Sequence, residues 1–255
     1  MNLEMKTSTY KNIYRYKTVN DISEAFVSSL GLILFLDAEL LEIILLSFRI
    51  TFYAVLISSI LGIPLGAFLA STHFKFRNTV VSILFGMMGL PPVVVGLFVY
   101  LIFSRSGSLG WMGLLYSPTV MIIAQVILIL PIVCCLTFQI IESLHTRYHE
   151  FFRSYRIAKL KSVIAYIVDS RFELTTVVLA GIGRSISEVG AIIIVGGNID
   201  HITRVMTTAI ALETSKGNLD LALGLGIILL ATAIVLNGFI LFLRGKYLKS
   251  PGSTI

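Results

Sequence analysis

Charged residues are scarce in this chain of 255 residues. Only 13% of its residues are Asp, Glu, Lys or Arg, whereas 56% are hydrophobic. Soluble domains carry about 25% charged residues, so the composition excludes an ordinary soluble globular protein. Four stretches without any charge each exceed the ~20 residues that cross the hydrocarbon core of a bilayer. They are Ile50–Thr72, Thr79–Phe103, Trp111–Ile141 and Leu221–Leu243.

Cysteines and catalytic motifs are also scarce. The two cysteines, Cys134 and Cys135, are adjacent in an uncharged stretch, which predicts packing residues rather than a disulfide or a metal site. His145 and His149 share a helix face, but no third metal ligand accompanies them. The chain contains no P-loop, no His-Glu-x-x-His and no Gly-x-Ser-x-Gly. We therefore expect neither an enzyme nor a bound metal or cofactor.

The N-terminal arm is basic and has no apolar core. It contains Lys6, Lys11, Arg15 and Lys17, so we expect no cleavable signal peptide. The net charge of +6 is compatible with nucleic-acid binding, but in a membrane protein it more often reflects basic cytoplasmic loops. We expect no nucleic-acid partner.

A fifth hydrophobic stretch, Leu174–Ile199, contains one cation and one anion, Arg184 and Glu188. Their i,i+4 spacing places both on one face of a helix, where they can pair. A charge at the bilayer centre costs roughly 2.5–3.5 kcal/mol on insertion scales, so such residues face a bundle interior or a polar pathway. Two interpretations stay open: a functional pair in a transport pathway, or a structural ion pair that locks two helices together.

Basic residues predict the topology through the positive-inside rule. They concentrate in Ser71–Asn78, in Glu142–Arg171 and after Leu243, which we place in the cytoplasm. Ser104–Gly110 and His201–Asp220 carry little net positive charge and lie outside. The prediction is an all-α polytopic membrane protein with five transmembrane helices, an outside N-terminus and a cytoplasmic C-terminus.

A short apolar segment, Ile22–Leu36, makes six spans possible. Its length suits an interfacial amphipathic helix better than a span, although a sixth span would place the basic arm inside. The chain thus divides into an arm with this amphipathic or short hydrophobic segment (1–37), a transmembrane domain (38–243) and a basic cytoplasmic tail (244–255).

Small residues and prolines interrupt the hydrophobic stretches. Gly62 and Gly66 form a GxxxG motif around Pro64, and Gly181 and Ser185 form a second pair of small residues. Further prolines occur at Pro91-Pro92 and Pro131. Broken helices at membrane depth occur only where they are buried in protein or line a cavity, so these residues together favour a transport pathway.

Several runs resemble a known family. One run is similar to the permease subunits of type I ABC importers for oxyanions. It reads Gly183-Arg-Ser-Ile-Ser-Glu-Val-Gly-Ala-Ile-Ile-Ile-Val-Gly-Gly-Asn-Ile199. The runs at Gly89–Gly96, Ser104–Gly110 and Thr203–Gly217 resemble the tungstate-type permeases in particular. The resemblance implies a homodimer of permease chains in membrane lipid, a partner ATPase that binds ATP and Mg, and an extracytoplasmic substrate-binding protein. It also implies a bacterial or archaeal cell membrane.

The family's cytoplasmic Glu-Ala-Ala-x-x-x-Gly motif docks a short helix into the ATPase. The matching residues here are Glu150-Phe-Phe-Arg-Ser-Tyr-Arg156, so the glutamate is kept while both alanines and the glycine are replaced. The resemblance implies that the segment from about 145 to 171 couples to the ATPase, with Glu150, Arg153, Arg156 and Lys159 as contacts. Charge alone leaves open whether this stretch is a solvated loop or a helix presented to a partner.

The segment Asn198–Gly217 offers hydroxyl groups and one cation suited to an oxyanion. Its candidate gate residues are Asn198, Arg204, Thr207 and Thr208. The apolar run at 209–212 is too short to span and can dip back toward a pathway. The alternative is an ordinary external loop packed against its neighbours.

Three alternatives to a tungstate importer remain. Molybdate and sulfate are also tetrahedral dianions, and selectivity in this class is expected to reside largely in the binding protein. An ion-coupled secondary transporter would show internal repeats or more intramembrane ionisable residues. An intramembrane enzyme would need catalytic groups that this sequence lacks.

Overall fold

The computed structural model describes residue 31 and residues 38–248, without the side chains of 237, 240, 241 and 243–248. The predicted segment Ile22–Leu36, apart from Gly31, lies outside the described residues, as do most of the N-terminal arm and the end of the tail. The possible sixth span and the boundaries of the three predicted regions therefore stay predictions.

The described residues are helical, with no strand among them, which confirms the predicted fold class. The helices are α1 (Ala38–Ser71), α2 (Arg77–Met87), α3 (Pro92–Phe103), α4 (Pro118–Ser154), α5 (Lys159–Asp169), α6 (Arg171–Ile186), α7 (Gly190–Gly196), α8 (Met206–Lys216) and α9 (Leu219–Leu248), with a 3₁₀ turn at Gly110–Met112. Within this part of the chain, α1, α4 and α9 are each long and apolar enough to cross a membrane. The bent pairs α2–α3 and α6–α7 bring the number to five if each pair is one span.

Two predicted spans are bent rather than straight. The stretch Thr79–Phe103 divides into α2 and α3, which meet at 101°, and the stretch Leu174–Ile199 divides into α6 and α7, which meet at 58°. The first bend has a clear cause, because Pro91 has an extended backbone and Pro92 begins α3. A proline lacks the N–H that would continue the preceding helix and pushes the residue before it out of the helical region.

The spans α1 and α4 pack closely through the predicted GxxxG motif. A Cβ on Gly62 would lie 3.0 Å from Val133 Cγ1, and one on Gly66 would collide with the Cys134 carbonyl oxygen. The backbones approach this closely because both positions lack a side chain. Cys134 and Cys135 are both buried, as predicted for packing residues.

The third uncharged stretch, Trp111–Ile141, and the helix that overlaps most of it, α4, have different ends, because α4 begins and ends further along the chain. Trp111 is 82% exposed in the 3₁₀ turn, and α4 begins at Pro118, where a proline is favoured because the first helical N–H has no partner. Beyond Ile141 the helix continues through Ser154, into the predicted polar segment. That segment is therefore mostly helical, with a turn between α4 and α5.

The contacts of the connecting segments show at which of the two ends of the bundle each segment lies. At one end, which we call the outer end, His201 and Arg204 contact Glu42 and Glu39 at the start of α1. Tyr116 N–H donates to the Val195 carbonyl at the same end. At the opposite, inner end, Arg77 pairs with Glu142 at 2.7 Å. Successive long helices and bent pairs thus run in alternating directions between the two ends, as expected for five spans.

Candidate functional site

The predicted ion pair forms, but at a break rather than along one continuous helix. Arg184 lies in the last turn of α6, and Glu188 lies between Ile186 and Gly190, where neither helix continues. Arg184 Nη1 donates to Glu188 Oε2. The Glu188 side chain is 4% exposed and that of Arg184 is 33% exposed. The carboxylate is therefore buried, whereas the guanidinium stays partly accessible.

Two further hydrogen bonds fix Glu188. Its Oε1 accepts the N–H of Ala191 at 3.2 Å, in the first turn of α7. A carboxylate is favourable there because the first helical N–H groups lack intrahelical partners and the helix N-terminus is positive. Its carbonyl oxygen accepts the hydroxyl of Thr207 at 2.8 Å, which belongs to α8. Glu188 thus connects α6, α7 and α8.

Gln125 of α4 holds the other side of this break. Its Nε2 donates to the Ser185 carbonyl at 3.1 Å, and the Ser185 hydroxyl donates to Gln125 Oε1 at 2.8 Å. Both residues are 2% exposed. The sequence analysis missed Gln125, although an amide inside the uncharged stretch Trp111–Ile141 was a signal, because polar side chains in membrane helices hydrogen-bond across helices.

A small cavity lies among these groups, with a volume of about 10 Å³. Its polar lining comes from Ser47, Thr51, Gln125, Ser185, Glu188 and Thr207. A cavity of this size holds about one water molecule, which is less than an oxyanion with four oxygens needs. The buried carboxylate would also repel an anion. In this conformation the cluster is a hydrogen-bonded joint between helices and is closed to an oxyanion.

The two bent pairs meet at this joint. A Cβ on Gly96 of α3 would lie 2.8 Å from the Ala191 Cα of α7, and one on Gly190 would lie 2.8 Å from Val93 Cγ2. Such short distances exist only because both positions are glycine. The helix segments that follow the two breaks are therefore packed backbone against backbone.

The segment after α7, residues 198–217, which we call the outer segment, is held by hydrogen bonds of its own hydroxyl side chains. Thr208 Oγ1 donates to Asn198 Oδ1 at 2.8 Å, and Asn198 Nδ2 donates to the Thr208 carbonyl at 3.3 Å. Thr203 Oγ1 donates to the Gly196 carbonyl at 2.6 Å. Thr207 and Thr208 are both buried. The structure thus brings the candidate gate residues Asn198, Thr207 and Thr208 together and links them to Glu188 through Thr207.

Arg204 is bound by carboxylates in this conformation. Its Nη1 lies 3.2 Å from Glu39 Oε1 and 2.9 Å from Asp200 Oδ1, and its side chain is 11% exposed. The buried Nε has no hydrogen-bond partner. Arg204 therefore anchors the outer segment to the start of α1, and its charge is already neutralised by the two carboxylates.

His201 makes a second contact between the same elements. Its Nδ1 lies 2.7 Å from Glu42 Oε2. The hydrogen bond to Glu42, with the negative charges of Glu42 and Asp200, raises the pKa of His201 above its ordinary value. This contact was absent from the sequence analysis, because nothing in the sequence brings residues 42 and 201 together.

The predicted coupling residues lie at the inner end, where α4 turns into α5. Glu150, Arg153, Arg156 and Lys159 are all exposed, and so is every residue from 153 to 161. Arg153 is in the last turn of α4, and Lys159 is the first residue of α5. The structure therefore gathers the four residues on one accessible turn.

Aromatic side chains surround this turn. The rings of Phe151 and Tyr155 lie 4.7 Å apart, with 55% and 69% of these residues exposed. Phe152 instead packs against Tyr166 of α5, with ring centroids 5.2 Å apart. Arg156, at the position of the family's glycine, has a left-handed backbone with φ of 53°. A glycine is favoured at such a position because it has no Cβ.

No metal centre is visible in the part of the chain that the structure describes. His145 and His149 have ring centroids 5.6 Å apart, but no group of three or more metal-binding side chains surrounds them there. His145 Nδ1 instead lies 3.1 Å from the Tyr166 hydroxyl. His145 thus joins α4 to α5 beside the exposed turn.

Comparison with known proteins identifies the family. A family model described as the binding-protein-dependent transport system inner membrane component matches residues 62–248. The chain belongs to this family. The matched region contains both bent pairs, the exposed turn at the inner end, and Gln125, Ser185, Glu188 and Thr207 of the polar joint. The protein is therefore a multi-pass cell-membrane permease component, and the family is not one of enzymes.

Individual members of the family are similar over most of the chain. The tungstate uptake system permease protein TupB of Peptoclostridium acidaminophilum is 37% identical over 223 residues, which cover 88% of this chain and 98% of that protein. TupB of Campylobacter jejuni is 39% identical over 165 residues, covering 65% and 69%. A probable anion ABC transporter permease protein of Haloferax volcanii is 37% identical over 205 residues, covering 78% and 88%.

Proposed function

We propose that the chain is the permease subunit of an ABC importer that moves an oxyanion, tungstate foremost, into the cytoplasm. The observation that carries this proposal is the 37% identity with a tungstate uptake permease over 98% of that protein's length. The similarity to a second tungstate permease and to a probable anion permease supports the same substrate class. Molybdate and sulfate are the competing substrates, because they have the same shape and charge.

The inner end of the bundle faces the cytoplasm in this proposal. Its connecting segments carry most of the described cations, whereas the outer end carries few. The inner cations are Lys75, Arg77, Arg147, Arg153, Arg156, Lys159, Lys161 and Arg171. The positive-inside rule favours this orientation, with the start of α1 outside and the end of α9 inside.

The exposed turn between α4 and α5 is the contact with the ATPase. Its accessible basic residues and exposed aromatic rings supply the anchors that protein interfaces favour. ATP and Mg bind the partner ATPase, a second copy of this chain completes the pathway, and an extracytoplasmic binding protein delivers the anion. Closure of the ATPase pair then moves α4 and α5 as a unit.

The polar joint transmits this movement to the pathway. Gln125 connects α4 to the end of α6, and Glu188 connects α6 to α7 and α8. A displacement of α4 therefore reaches the outer segment, which contains Asn198, Arg204 and Thr208, through a continuous set of hydrogen bonds. We propose that this segment closes the outer mouth in the present conformation.

Site-directed crosslinking tests the contact with the ATPase. Single cysteines at Arg153 and Lys159 should crosslink to the ATPase in membranes, and an impermeant thiol reagent added from outside should not label them. A cysteine at Ser106, at the outer end, is the matched control and should show the reverse pattern. Labelling of Arg153→Cys from outside would overturn the orientation.

Uptake by an Arg204→Ala variant tests the outer gate. Loss of Arg204 leaves Glu39 and Asp200 without their shared cation, so the outer segment keeps only its other contacts with α1, such as His201 with Glu42. We expect reduced uptake at limiting substrate with normal membrane insertion and normal assembly with the ATPase. Unchanged uptake under these conditions would refute the gate.

A further inference from the structure

We propose that a cavity beside Arg105 at the outer end is a vestibule that binds an oxyanion before the anion enters the pathway. The cavity has a volume of about 660 Å³. Its polar lining consists of Tyr100, Ser104, Arg105, Ser106 and Tyr116. The cavity thus offers one guanidinium and the hydroxyl groups of Tyr100, Ser106 and Tyr116, since the Ser104 hydroxyl donates to the Leu101 carbonyl at 3.1 Å. A guanidinium and hydroxyl groups suit a tetrahedral oxyanion. The inference rests on the proposed function and adds a site outside the polar joint.

The loop that carries Arg105 is folded tightly against the end of α3. Gly107 N–H donates to the Ser104 carbonyl at 2.8 Å, and Leu109 N–H donates to the Ile102 carbonyl at 2.9 Å. A Cβ on Gly107 or on Gly110 would collide with backbone carbonyl oxygens. The loop therefore has a defined shape, and the wall that it gives the cavity is preorganised.

Tyr116 forms the opposite wall and is held in an uncommon conformation. Its φ is 63°, a left-handed value that is costly for a residue with a side chain. Its N–H donates to the Val195 carbonyl at 3.1 Å, and its ring lies against Gly197, where a Cβ would come within 2.8 Å of Cδ1. A hydrogen bond with Tyr100 raises the pKa of Tyr116 above its ordinary value.

The charge of Arg105 is available to a ligand. Its guanidinium has no carboxylate partner among the described residues, and the residue is exposed. Arg204, at the same end, differs because Glu39 and Asp200 neutralise it. An anion approaching the outer end therefore meets an uncompensated positive charge at Arg105 and a compensated one at Arg204.

The size of the cavity predicts what it selects. A volume of about 660 Å³ exceeds the need of a single oxyanion, so the anion keeps part of its hydration shell there. Contacts through water discriminate between anions of different charge better than between anions of the same charge and shape. We therefore expect tungstate and sulfate to bind with similar affinities, and chloride to bind more weakly because it carries one negative charge instead of two.

Trp111 provides a direct measurement of binding. It is the only tryptophan in the chain, it follows Gly110 of the cavity wall, and it is 82% exposed. The full chain in nanodiscs is titrated with sodium tungstate and with sodium sulfate while tryptophan fluorescence is recorded. Arg105→Ala should weaken both affinities by about ten- to a hundredfold, the usual effect of losing a hydrogen bond to a charged group.

Two further variants complete the test. Arg105→Lys keeps the charge and should retain most of the affinity, whereas Lys75→Ala removes one positive charge from the inner end and should leave the titration unchanged. An Arg105→Ala titration identical to that of the unaltered chain would refute the vestibule. The vestibule is also refuted if Arg105→Ala leaves the anion titration intact but weakens attachment of the binding protein. The cavity would then hold a carboxylate of that protein.

Transport measurements separate this inference from the proposed function. If the unaltered chain supports ATP-driven tungstate uptake but shows no anion titration, the vestibule is wrong and the proposed function stands. If it shows the titration but supports no tungstate uptake with its partners, the vestibule stands and the proposed function is wrong.

Discussion

Replacing Glu188 by alanine should destabilise the protein, because this carboxylate is the centre of the polar joint. The substitution removes the ion pair with Arg184 and the acceptor of the Ala191 N–H. The Glu188 side chain is 4% exposed, so both partners lose a buried acceptor when it is removed. The Thr207 hydrogen bond to the backbone of residue 188 remains possible.

The expected destabilisation follows from these two losses. Breaking a fully buried ion pair costs about 3–5 kcal/mol, and breaking an exposed pair costs about 0–1 kcal/mol. Since a third of the Arg184 side chain is accessible, we take about 2 kcal/mol. The unpaired N–H of Ala191, which is fully buried, adds about 1 kcal/mol. The total of about 3 kcal/mol corresponds to a fall in Tm of about 6–12 °C.

Thermal unfolding of the reconstituted chain measures this effect. Glu173→Ala is the matched control, because Glu173 lies on the same helix α6 and is exposed. It should change the Tm by less than about 2 °C. A Tm for Glu188→Ala that matches this control would refute the structural account of the joint.

A double variant separates a structural pair from a functional one. Methionines at both Arg184 and Glu188 leave no unpaired charge, and replacing a buried pair by apolar residues is often neutral for stability. We expect the Tm to recover while uptake is lost, since Glu188 no longer holds the start of α7. Recovery of both Tm and uptake would show that the charges act only as a structural lock.

Three further predictions concern packing, backbone strain and pH. In thermal unfolding, Gly96→Ala should destabilise the chain by about 1–3 kcal/mol, because the new methyl group overpacks α3 against α7. Gly86→Ala has no atom near its Cβ and should stabilise α2 by up to about 1 kcal/mol. Equal effects of the two substitutions would contradict the close packing at Gly96. Arg156→Gly should raise stability by up to about 1 kcal/mol by relieving a left-handed backbone, and a lower Tm would contradict it. The raised pKa of His201 means that its contact with Glu42 contributes fully below pH ~6.5 and is lost as pH rises through the folded-state pKa. Hydrogen exchange of residues 198–205 should therefore accelerate with pH beyond the intrinsic rate, and Glu42→Gln should remove this extra dependence.

The positions of the membrane-crossing helices among the described residues could be predicted because uncharged stretches of bilayer length are a strong signal. The GxxxG packing of Gly62 and Gly66 against α4 was predictable for a similar reason, since small residues mark close helix contacts. The bends were only partly predictable. Pro91-Pro92 marks a break without specifying its angle, and no proline marks the break at Glu188.

The candidate site shows where sequence reasoning stops. The spacing of Arg184 and Glu188 predicted their pairing, but it also predicted a continuous helix, which was wrong because α6 ends at Ile186. The partners of Arg204 could not be predicted, because Glu39 is 165 residues away and only the fold brings it near. Gln125 was missed because a neutral amide looks inconspicuous in a hydropathy pattern.

Uptake into proteoliposomes tests the central claim most directly. The chain is reconstituted with its ATPase, and the binding protein is added outside with labelled tungstate, with ATP enclosed. We predict accumulation that requires ATP, the binding protein and an ATPase able to hydrolyse ATP, and that excess unlabelled tungstate suppresses more strongly than equal sulfate. Accumulation without ATP or without the binding protein, or none of tungstate, molybdate or sulfate accumulating in the complete system, would contradict the account.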